Sequence, residues 1–480
     1  MGNLKVITSN FLSLIRKKTS PQTVSINADD AKVIPKAGKE IKLPQKPTSA
    51  EKAIQVTDEF QQALSSIKTN KQTVFVTGQA GTGKSTFIRY LKENIGIVAP
   101  VLAPTGVAAL NVNGQTIHSF FHIPPRITLP DEIKPLRNRR LFEELKLLII
   151  DEISMVRSDL MDLIDTSLRI NTGKEELPFG GVQIVTVGDL YQLPPVIASQ
   201  TEARYIHQHY KTPYFLSSSC IQNARPSIFE LTKVFRQQDN HFIELLSNLR
   251  EGNNIVETVS EFNRECFFGD LEENDTIILT PENSSAGRIN HIRLSKLEGP
   301  EKEYEGVITG QFNIETERLP APKLLKLKVG ARVMFTKNDL SHRWVNGTLG
   351  TVKEIQPKFI VVDVNDTTFT VSRETWESIR YDYDEEKNRI VSNVIGTYTQ
   401  FPLMLAWAIT IHKSQGKTFD QVRIEINRGA FAEGQLYVAL SRCRTLGGIS
   451  LIRPLQTQDV IVNPVVKEFY DNLRKNLAIK

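Results

Sequence analysis

Apolar residues from about Thr57 onward alternate between a helical spacing and short continuous runs. In TDEFQQALSSI they recur at Phe60, Leu64 and Ile67, which places them on one face of a helix. The runs TVFVT, IVAPVLAP, LKLLIID and VQIVTVGD that follow are compact and bounded by glycine, proline or aspartate. Interior strands of a parallel sheet have this pattern because both of their faces are buried. The alternation predicts an α/β fold with a parallel sheet.

A second α/β unit is predicted to begin near Phe229 in FELTKVF and to resume at WAITIHKSQG and VRIEI. Between its halves, VNGTLGTVKEI, FIVVDV and TFTVSRE suggest short antiparallel strands joined by turns that contain Asn-Gly or Asp. This pattern predicts a small inserted β-barrel. The predicted organisation is a flexible basic arm or linker at 1–50, a first unit at 51–230, a second unit at 231–336 and 400–480, and the barrel at 337–399.

Composition limits the class of protein without identifying a function. A length of 480 residues suits about three domains, and the net charge of +5 is compatible with a polyanionic partner. Cys220, Cys266 and Cys443 lie far apart and lack CxxC or Cys/His spacing. We therefore expect reduced thiols in a cytosolic protein, without disulfides or a zinc site. No apolar run approaches the roughly 20 residues that a membrane-spanning helix needs, so we expect no membrane partner.

The first 28 residues are basic, with Lys5, Arg16, Lys17 and Lys18 and no acidic residue before Asp29. A transit peptide, a short basic helix and a disordered arm all have this composition, and the three alternatives stay open. The next residues, to about position 50, are polar and contain prolines without sustained periodicity, which favours a linker.

The segment TVFVTGQAGTGKSTFIRYL carries the pattern G-x-x-x-x-G-K-S between an apolar strand and a helix. Such a loop wraps its backbone N–H groups around phosphates, and the positive end of the helix adds to the attraction. Lys84 is expected to reach the β- and γ-phosphates, and the Ser85 hydroxyl to bind Mg²⁺. The predicted nucleotide-binding residues here are Gly78, Gly81, Thr82, Gly83, Lys84, Ser85 and Thr86.

Further polar residues follow the later strands. Asp151 and Glu152 end the run LKLLIIDE, where Asp151 is expected to hold the metal and Glu152 to deprotonate the attacking water. Gln192, in VTVGDLYQLPPV, is placed to sense the γ-phosphate. Arg236 in FELTKVFRQ and Arg442 in LYVALSRCRT are candidate arginine fingers from the second unit, although a lone arginine is by default a surface cation.

Seven segments in this order resemble superfamily 1 helicases, specifically the petite-integration-frequency (PIF) family and its RecD-like relatives. They are GQAGTGKST, LAPTGVAALNVNGQTIHSF, IIDEISMV, PFGGVQIVTVGDLYQLPPV, LTKVFRQ, AITIHKSQGKTFDQV and YVALSRCRT. The resemblance spans about Thr57 to Leu451. It implies two RecA-like motor domains with ATP in the cleft between them and 5′→3′ translocation along DNA. It also implies that Gln61 reads the adenine; the alternatives are that the neighbouring Gln62 does so, or that Gln61 is an ordinary surface glutamine.

Two segments are the predicted track for nucleic acid. Small and polar residues follow a strand end in each unit, as suits sequence-independent phosphate contacts, and Phe120 is placed to stack on bases. His118 and His412 have the alternative role of bracing their loops by hydrogen bonds. The predicted track residues are Pro104, Thr105, Asn113, Thr116, His118, Ser119, His412, Lys413 and Ser414.

Two further segments each have two interpretations. Residues 122–145 form, by resemblance, a wedge that meets the duplex junction, or else an ordinary surface excursion. The barrel either pads the second motor or lines the track with the face around Arg343, Trp344 and Asn346.

The resulting hypothesis is a monomeric, ATP-hydrolysing 5′→3′ DNA helicase that acts on single-stranded, duplex or forked DNA. By resemblance its processes are DNA replication, repair, recombination or telomere maintenance, with a cytoplasmic location favoured over nucleus or mitochondrion. The alternatives are a nucleotide-gated switch without processive unwinding, an RNA track, and a small-molecule kinase. A kinase leaves VFRQ, IHKSQG and YVALSR unexplained.

Overall fold

The computed structural model describes residues 55–267, 276–426, 429–430 and 432–478. The predicted arm at 1–50 lies outside these residues. None of the described helices is long and apolar enough to cross a lipid bilayer.

The first sheet is entirely parallel, with the strand order β3-β2-β4-β5-β1-β6. Its strands are β1 (Val74–Gly78), β2 (Val101–Ala103), β3 (Gln115–Thr116), β4 (Leu147–Ile150), β5 (Gln183–Val187) and β6 (Ser227–Leu231). Every residue of β1, β4 and β5 is buried, which explains why these strands are continuous apolar runs in the sequence.

Helices cover both faces of this sheet. They are α1 (Asp58–Thr69), α2 (Lys84–Asn94), α3 (Gly106–Asn111), α4 (Ile117–Phe121), α5 (Arg139–Glu143), α6 (Ser158–Thr172), α7 (Gln200–His209) and α8 (Ser219–Ala224). The predicted helix at Phe60, Leu64 and Ile67 is α1, and these three side chains are buried as expected. Its N-terminus is capped by Thr57, whose Oγ1 accepts a hydrogen bond from Phe60 N.

The strand at Phe229 belongs to the first sheet, so the prediction that it opens a second unit is wrong. Phe229 pairs with Val76 in the parallel register of β6 and β1. An apolar edge strand and the first strand of a new sheet have the same sequence pattern, and only the pairing partner distinguishes them.

The remaining elements begin after β6. The helices are α9 (Asn240–Glu251), α10 (Ile255–Cys266), α11 (Asn283–Lys296), α12 (Ile411–Ser414), α13 (Gln435–Leu440) and α14 (Pro464–Ala478). The strands are β7 (Ile277–Thr280), β8 (Lys302–Glu305), β9 (Val307–Gly310), β10 (Leu324–Leu327), β11 (Arg332–Phe335), β12 (Leu349–Ile355), β13 (Ile360–Val364), β14 (Thr367–Val371), β15 (Glu374–Asp384), β16 (Arg389–Gln400), β17 (Leu403–Leu405), β18 (Ala408–Thr410), β19 (Val422–Ile424) and β20 (Ile449–Leu451).

The second parallel sheet has the strand order β18-β7-β19-β20. The predicted strands in WAITIHKSQG and VRIEI are β18 and β19. Helices α9 and α10 pack on this sheet through Phe242, Leu246 and Phe262, which are buried in its core. A second α/β unit, with its own sheet and core, is thus present, as the sequence predicts.

Antiparallel strands interrupt the second sheet, but they extend beyond the predicted 337–399. A five-stranded sheet has the order β14-β13-β12-β11-β17, so its last two strands lie outside those limits. Strands β15 and β16 belong to a separate sheet with β9, and β8 pairs with β10. The apolar alternation identified the strands, whereas their distribution among sheets depends on contacts distant in sequence.

The long β15–β16 hairpin and helix α14 both pack on the first sheet. Tyr381 of the hairpin accepts a hydrogen bond at Oη from Val101 N (3.2 Å) and donates its own N–H to Gln115 Oε1 (3.1 Å). Tyr470 of α14 is fully buried in the core of the first sheet and lies 4.8 Å from the ring of Tyr191. Residues predicted as inserted barrel and as second unit therefore complete the first one.

Candidate functional site

The phosphate-loop sequence runs from the end of β1 into the start of α2. Gly81 and Gly83 have φ angles of 86° and 88°, in the left-handed region that favours glycine. A Cβ atom on Gly81 would lie 2.6 Å from the Cβ atom of Arg236, and one on Gly78 would lie 2.6 Å from the carbonyl oxygen of Leu231. The loop therefore needs glycine both for its backbone conformation and because Leu231 and Arg236 approach it closely.

Lys84 is folded into the loop to which it belongs. Its Nζ donates hydrogen bonds to the carbonyl oxygens of Gly78 (2.7 Å) and Gln79 (2.9 Å). Burial lowers the pKa of Lys84 to about 8, although Asp189 and Glu152 oppose this shift. An ammonium with this pKa is still mainly protonated at neutral pH, so the loop offers a cation together with its backbone N–H groups.

Three hydroxyl residues flank Lys84. Thr82 is buried, and its Oγ1 donates a hydrogen bond to the carbonyl oxygen of Gln79 (2.9 Å). Ser85 and Thr86 lie in the first turn of α2, and Ser85 is exposed on the wall of a cleft. Thr82 thus shapes the loop, whereas Ser85 presents its hydroxyl to the cleft.

Two adjacent carboxylates end β4 beside the loop. Burial, and next the charge of Glu152, raises the pKa of Asp151 to about 7. Burial also raises the pKa of Glu152, against the opposing charges of Lys84 and Arg442. Glu152 has a φ angle of 49°, which is uncommon for a residue with a side chain and typical of functional sites. The Asp151 carboxyl is therefore poised to take up or release a proton near neutral pH, and Glu152 holds its proton more tightly than an exposed glutamate does.

Asp189, at the end of β5, is the centre of a buried polar cluster. Its carboxylate accepts hydrogen bonds from Gln192 Nε2 (3.3 Å) and Arg250 Nη2 (2.9 Å), and Tyr437 Oη lies 3.5 Å away. The guanidinium of Arg250 also lies 4.6 Å from the centre of the Tyr191 ring. Gln192 is thus held at the sheet edge by a fixed anion.

Arg250 and Tyr437 were missed by the sequence reasoning, and Arg250 had left a signal. It follows Phe242 and Leu246 at successive intervals of four residues in α9, on the buried face of that helix. An arginine at such a position is almost never buried unless it is paired.

Arg236 and Arg442 lie next to each other, but they belong to different parts of the chain. Arg236 follows the edge strand β6, and the N–H of its neighbour Phe235 donates to the carbonyl oxygen of Gly81 (2.8 Å). Arg442 is buried behind α13, where its Nε donates to the carbonyl oxygen of Val438 (2.8 Å). Arg236 thus follows a strand of the first sheet, while its guanidinium contacts Ser441 of the second unit, and its assignment to the second unit stays a prediction.

The two guanidinium groups repel each other. Burial, and next the charge of Arg236, lowers the pKa of Arg442 to about 9. Burial lowers the pKa of Arg236 as well. Since Arg236 Nη1 and Gln237 Nε2 both donate to the carbonyl oxygen of Ser441 at 3.1 Å, the pair is held in place despite the repulsion. An anion bound between the two arginines would offset the repulsion between their guanidinium groups.

A cleft of about 2840 Å³ joins the phosphate site to both predicted track segments. Its walls include exposed polar residues at the carboxyl ends of strands from both sheets, where α/β proteins bind ligands. Of the predicted residues, the lining contains Ser85, Pro104, Thr105, Asn113, His118, Asp151, Glu152, His412 and Lys413.

Comparison with known proteins assigns the family. A family model described as PIF1-like helicase matches residues 55–260. The ATP-dependent DNA helicase Pif1 of Bdellovibrio bacteriovorus is 33% identical over 428 residues, which cover 87% of this chain and 92% of the relative. The chain belongs to the PIF1-like helicase family.

Two solved structures of Pif1 from Bacteroides are similar to this PIF1-like chain. The complex with ADP-AlF4 has a TM-score of 0.79 at 38% identity, covering 88% of this chain and 97% of the other. The structure bound to ssDNA has a TM-score of 0.63 at 38% identity, with the same coverage. The likeness confirms the predicted fold class of two RecA-like motor domains, and the two parallel sheets are their cores.

The predicted adenine contact in this PIF1-like protein lies on α1. Gln61 and Gln62 are both exposed, next to the buried Phe60. The ring of Phe60 lies 3.5 Å from the position a Cβ atom on Gly83 would occupy, so α1 packs directly beside the phosphate loop. The role of either glutamine stays a prediction.

Several predicted track residues have structural roles. Thr116 Oγ1 accepts from Ser119 N at the start of α4 (3.3 Å), and Ser119 Oγ accepts from Gln115 Nε2 (3.0 Å). Ser414 is fully buried, and its hydroxyl donates to the carbonyl oxygen of Ile411 (2.6 Å). Phe120 is buried against other rings in the core of the first sheet. The expectations that Phe120 stacks on bases and that the Ser414 hydroxyl binds phosphate are therefore wrong in this arrangement.

The histidines of the two segments differ. His118 Nδ1 lies 3.0 Å from the carbonyl oxygen of Ile123, so this ring braces its loop as the alternative interpretation proposed. His412 and Lys413 are exposed on the cleft wall, where partial burial lowers the pKa of both side chains.

Lys417 is a cleft residue that the sequence reasoning missed. Its Nζ donates to Asn346 Oδ1 at 2.7 Å, and burial lowers its pKa to about 8. Thr336 Oγ1 and Gln415 Nε2 are nearby wall atoms that are buried without a hydrogen-bond partner in the described structure. Lys417 stands in the matched stretch AITIHKSQGKTFDQV, and its place in that stretch was the available signal.

The inserted segments partly fit their predictions. Asn346 reaches the cleft, but Trp344 is buried in the core of the five-stranded sheet and stacks on Phe335. In the predicted wedge, Leu141 and Phe142 are buried in the core of the first motor domain. The wedge is thus anchored by its C-terminal helix α5.

We expect the affinity for oligo-dT to fall as the pH rises from 7 to 9. The pKa of Lys417 is depressed to about 8, so above that pH the side chain loses the charge that attracts phosphate. Lys417→Arg should keep its affinity over this range because its guanidinium stays charged. Fluorescence anisotropy at constant salt measures this pH dependence. Lys417→Met should bind oligo-dT more weakly than the wild type, and in a separate salt titration its slope of log affinity against log salt concentration should be smaller by about 0.7. Equal pH profiles for the wild type and Lys417→Arg would refute this role.

Proposed function

We propose that this PIF1-like ATP-dependent DNA helicase translocates 5′→3′ on single-stranded DNA as a single chain and uses Mg²⁺ with ATP. The observation that supports this most is the cleft that holds the phosphate-site residues Ser85, Asp151 and Glu152 together with track residues of both motor domains. Because one chain supplies both arginines and both walls, a monomer suffices for hydrolysis coupled to movement.

The residues at the phosphate site suit a magnesium-bound nucleotide. Hydroxyl and carboxylate oxygens are the donors that Mg²⁺ prefers, and Ser85 and Asp151 offer them on the same wall. Mg²⁺ would neutralise charge on the β- and γ-phosphate oxygens. Glu152, whose raised pKa makes it a better proton acceptor, would deprotonate the attacking water, while Gln192 is held by Asp189 to sense the γ-phosphate.

A strand in the cleft would couple the domains. Thr105 and Asn113 come from the first motor domain, and His412, Lys413 and Lys417 come from the second. DNA that contacts both walls favours the arrangement in which they are close, through its higher affinity for that state. A Bacteroides relative solved with ssDNA favours DNA over RNA as the track.

The biological setting is proposed from the chemistry of the chain and from its family. Cys220, Cys266 and Cys443 are free and buried, which favours a reducing compartment such as the cytoplasm. A motor on single-stranded DNA serves replication, repair or recombination, where such strands are exposed, and telomere maintenance is a further candidate.

The polarity is tested by strand displacement. We expect the protein to unwind a duplex with a 5′ single-stranded DNA tail and to leave one with only a 3′ tail intact. Duplexes with DNA tails and with RNA tails, tested in parallel, show which nucleic acid serves as the track. The control is the same reaction without ATP. Unwinding from the 3′ tail alone would reverse the proposed direction, and ATP hydrolysis with DNA binding but no unwinding would favour the nucleotide-gated switch.

The two arginines should differ in their kinetic effects. Arg442→Ala should lower the DNA-stimulated kcat by about 10³-fold with little change in nucleotide affinity, since an arginine finger acts on the transition state. Arg236→Ala should also weaken nucleotide binding, because Arg236 lies against Gly81 of the loop. Steady-state hydrolysis with oligo-dT and equilibrium binding of a fluorescent nucleotide measure both quantities.

The matched control is Arg444→Ala, since Arg444 is exposed and pairs with Asp420. It should hydrolyse ATP at the wild-type rate. A full DNA-stimulated rate in Arg442→Ala would exclude Arg442 as a finger.

A further inference from the structure

A tyrosine of helix α13, in the second motor domain, forms a hydrogen bond with the phosphate loop. The hydroxyl oxygen of Tyr437 accepts a hydrogen bond from the backbone N–H of Ala80 (2.8 Å). Ala80 lies between Gly78 and Gly81 in the loop that carries Lys84. Tyr437 itself is 3% exposed, so this contact is shielded from water.

A second, longer hydrogen bond orients the Tyr437 hydroxyl. It donates to Asp189 Oδ2 at 3.5 Å, and Asp189 is in turn held by Arg250 and bound by Gln192. Burial raises the pKa of Tyr437, so the phenol keeps the proton that it donates. The hydroxyl oxygen accepts from Ala80 and its hydrogen points towards Asp189, so one orientation of the hydroxyl is favoured.

The same segment determines where Arg442 lies. Ser441 N donates to the carbonyl oxygen of Tyr437 (2.9 Å), and Arg442 Nε donates to that of Val438 (2.8 Å). At the start of the helix, a Cβ atom on Gly434 would lie 2.2 Å from the carbonyl oxygen of Tyr191, so α13 is pressed against the first motor domain there. A displacement of Tyr437 would therefore carry the Arg442 backbone with it.

We propose that Tyr437 is a positioning residue for ATP hydrolysis: its hydroxyl fixes the arginine-bearing segment on the phosphate loop so that Arg442 is aligned with the transferred phosphate. This inference rests on the proposed role of Arg442. Tyr437 is anchored on Ala80 and acts through Arg442, and its effect belongs to catalysis after nucleotide has bound.

Tyr437→Phe removes the hydroxyl and keeps the ring in place. We expect the DNA-stimulated kcat to fall about tenfold, the size of one lost alignment contact, while KM for ATP changes by less than about twofold. The matched control is Tyr214→Phe. Tyr214 is also buried, but its hydroxyl donates to Glu433 (2.7 Å) just before α13 and not to Asp189. This control should keep most of its kcat, and thermal unfolding should show both variants folded.

A double variant distinguishes positioning from general loosening of the domain contact. If Tyr437 acts through Arg442, Tyr437→Phe should lower kcat no further in an Arg442→Ala background. A further tenfold loss there, an equal loss in Tyr214→Phe, or a wild-type kcat in Tyr437→Phe would each overturn the proposal. Wild-type hydrolysis that does not respond to oligo-dT would instead refute the proposed coupling to DNA.

Discussion

The carboxylate of Asp189 is the charge on which the arrangement of the two motor domains depends. It is fully buried at the end of β5 and is paired at 2.9 Å with Arg250, a buried arginine of the second motor domain. Neither charge tolerates burial alone, since an unpaired buried ion costs several kcal/mol. The pair therefore requires α9 and β5 to stay together, and the same carboxylate also contacts Gln192 and Tyr437.

The sequence was sufficient wherever the pattern and the chemistry are local. Buried parallel strands such as β4 and β5 must be continuous apolar runs, and the turn around Gly81 and Gly83 requires glycine. A lysine and a serine at the start of α2 complete a site whose parts lie within eight residues of one another. Asp151 and Glu152 were also predictable, because the edge of a parallel sheet gathers the residues that end its strands.

Other features depend on pairing between distant residues. The strand at Phe229 has the same pattern whether it opens a second sheet or completes the first, and only its pairing with Val76 assigns it to the first sheet. Ser414 has a hydroxyl suited to phosphate, yet the turn that follows β18 uses it internally. Phe120 is one ring of an aromatic core that includes Tyr381, which lies far along the chain in the β15–β16 hairpin. Polar chemistry alone did not distinguish a ligand contact from a structural bond.

The most direct test of the central role of Asp189 is a double-mutant cycle in the free energy of unfolding, measured by urea titration. Arg250→Met should lose about 3–5 kcal/mol because it leaves the buried Asp189 carboxylate without its arginine. Asp189→Asn should lose less, because the Arg250 guanidinium keeps its longer ion pairs with Glu251 and Glu230. The double variant should lose at least about 2 kcal/mol less than the sum of the two, since it removes both charges together. Strictly additive losses would contradict the account, because they would mean that the carboxylate and the guanidinium do not stabilise each other.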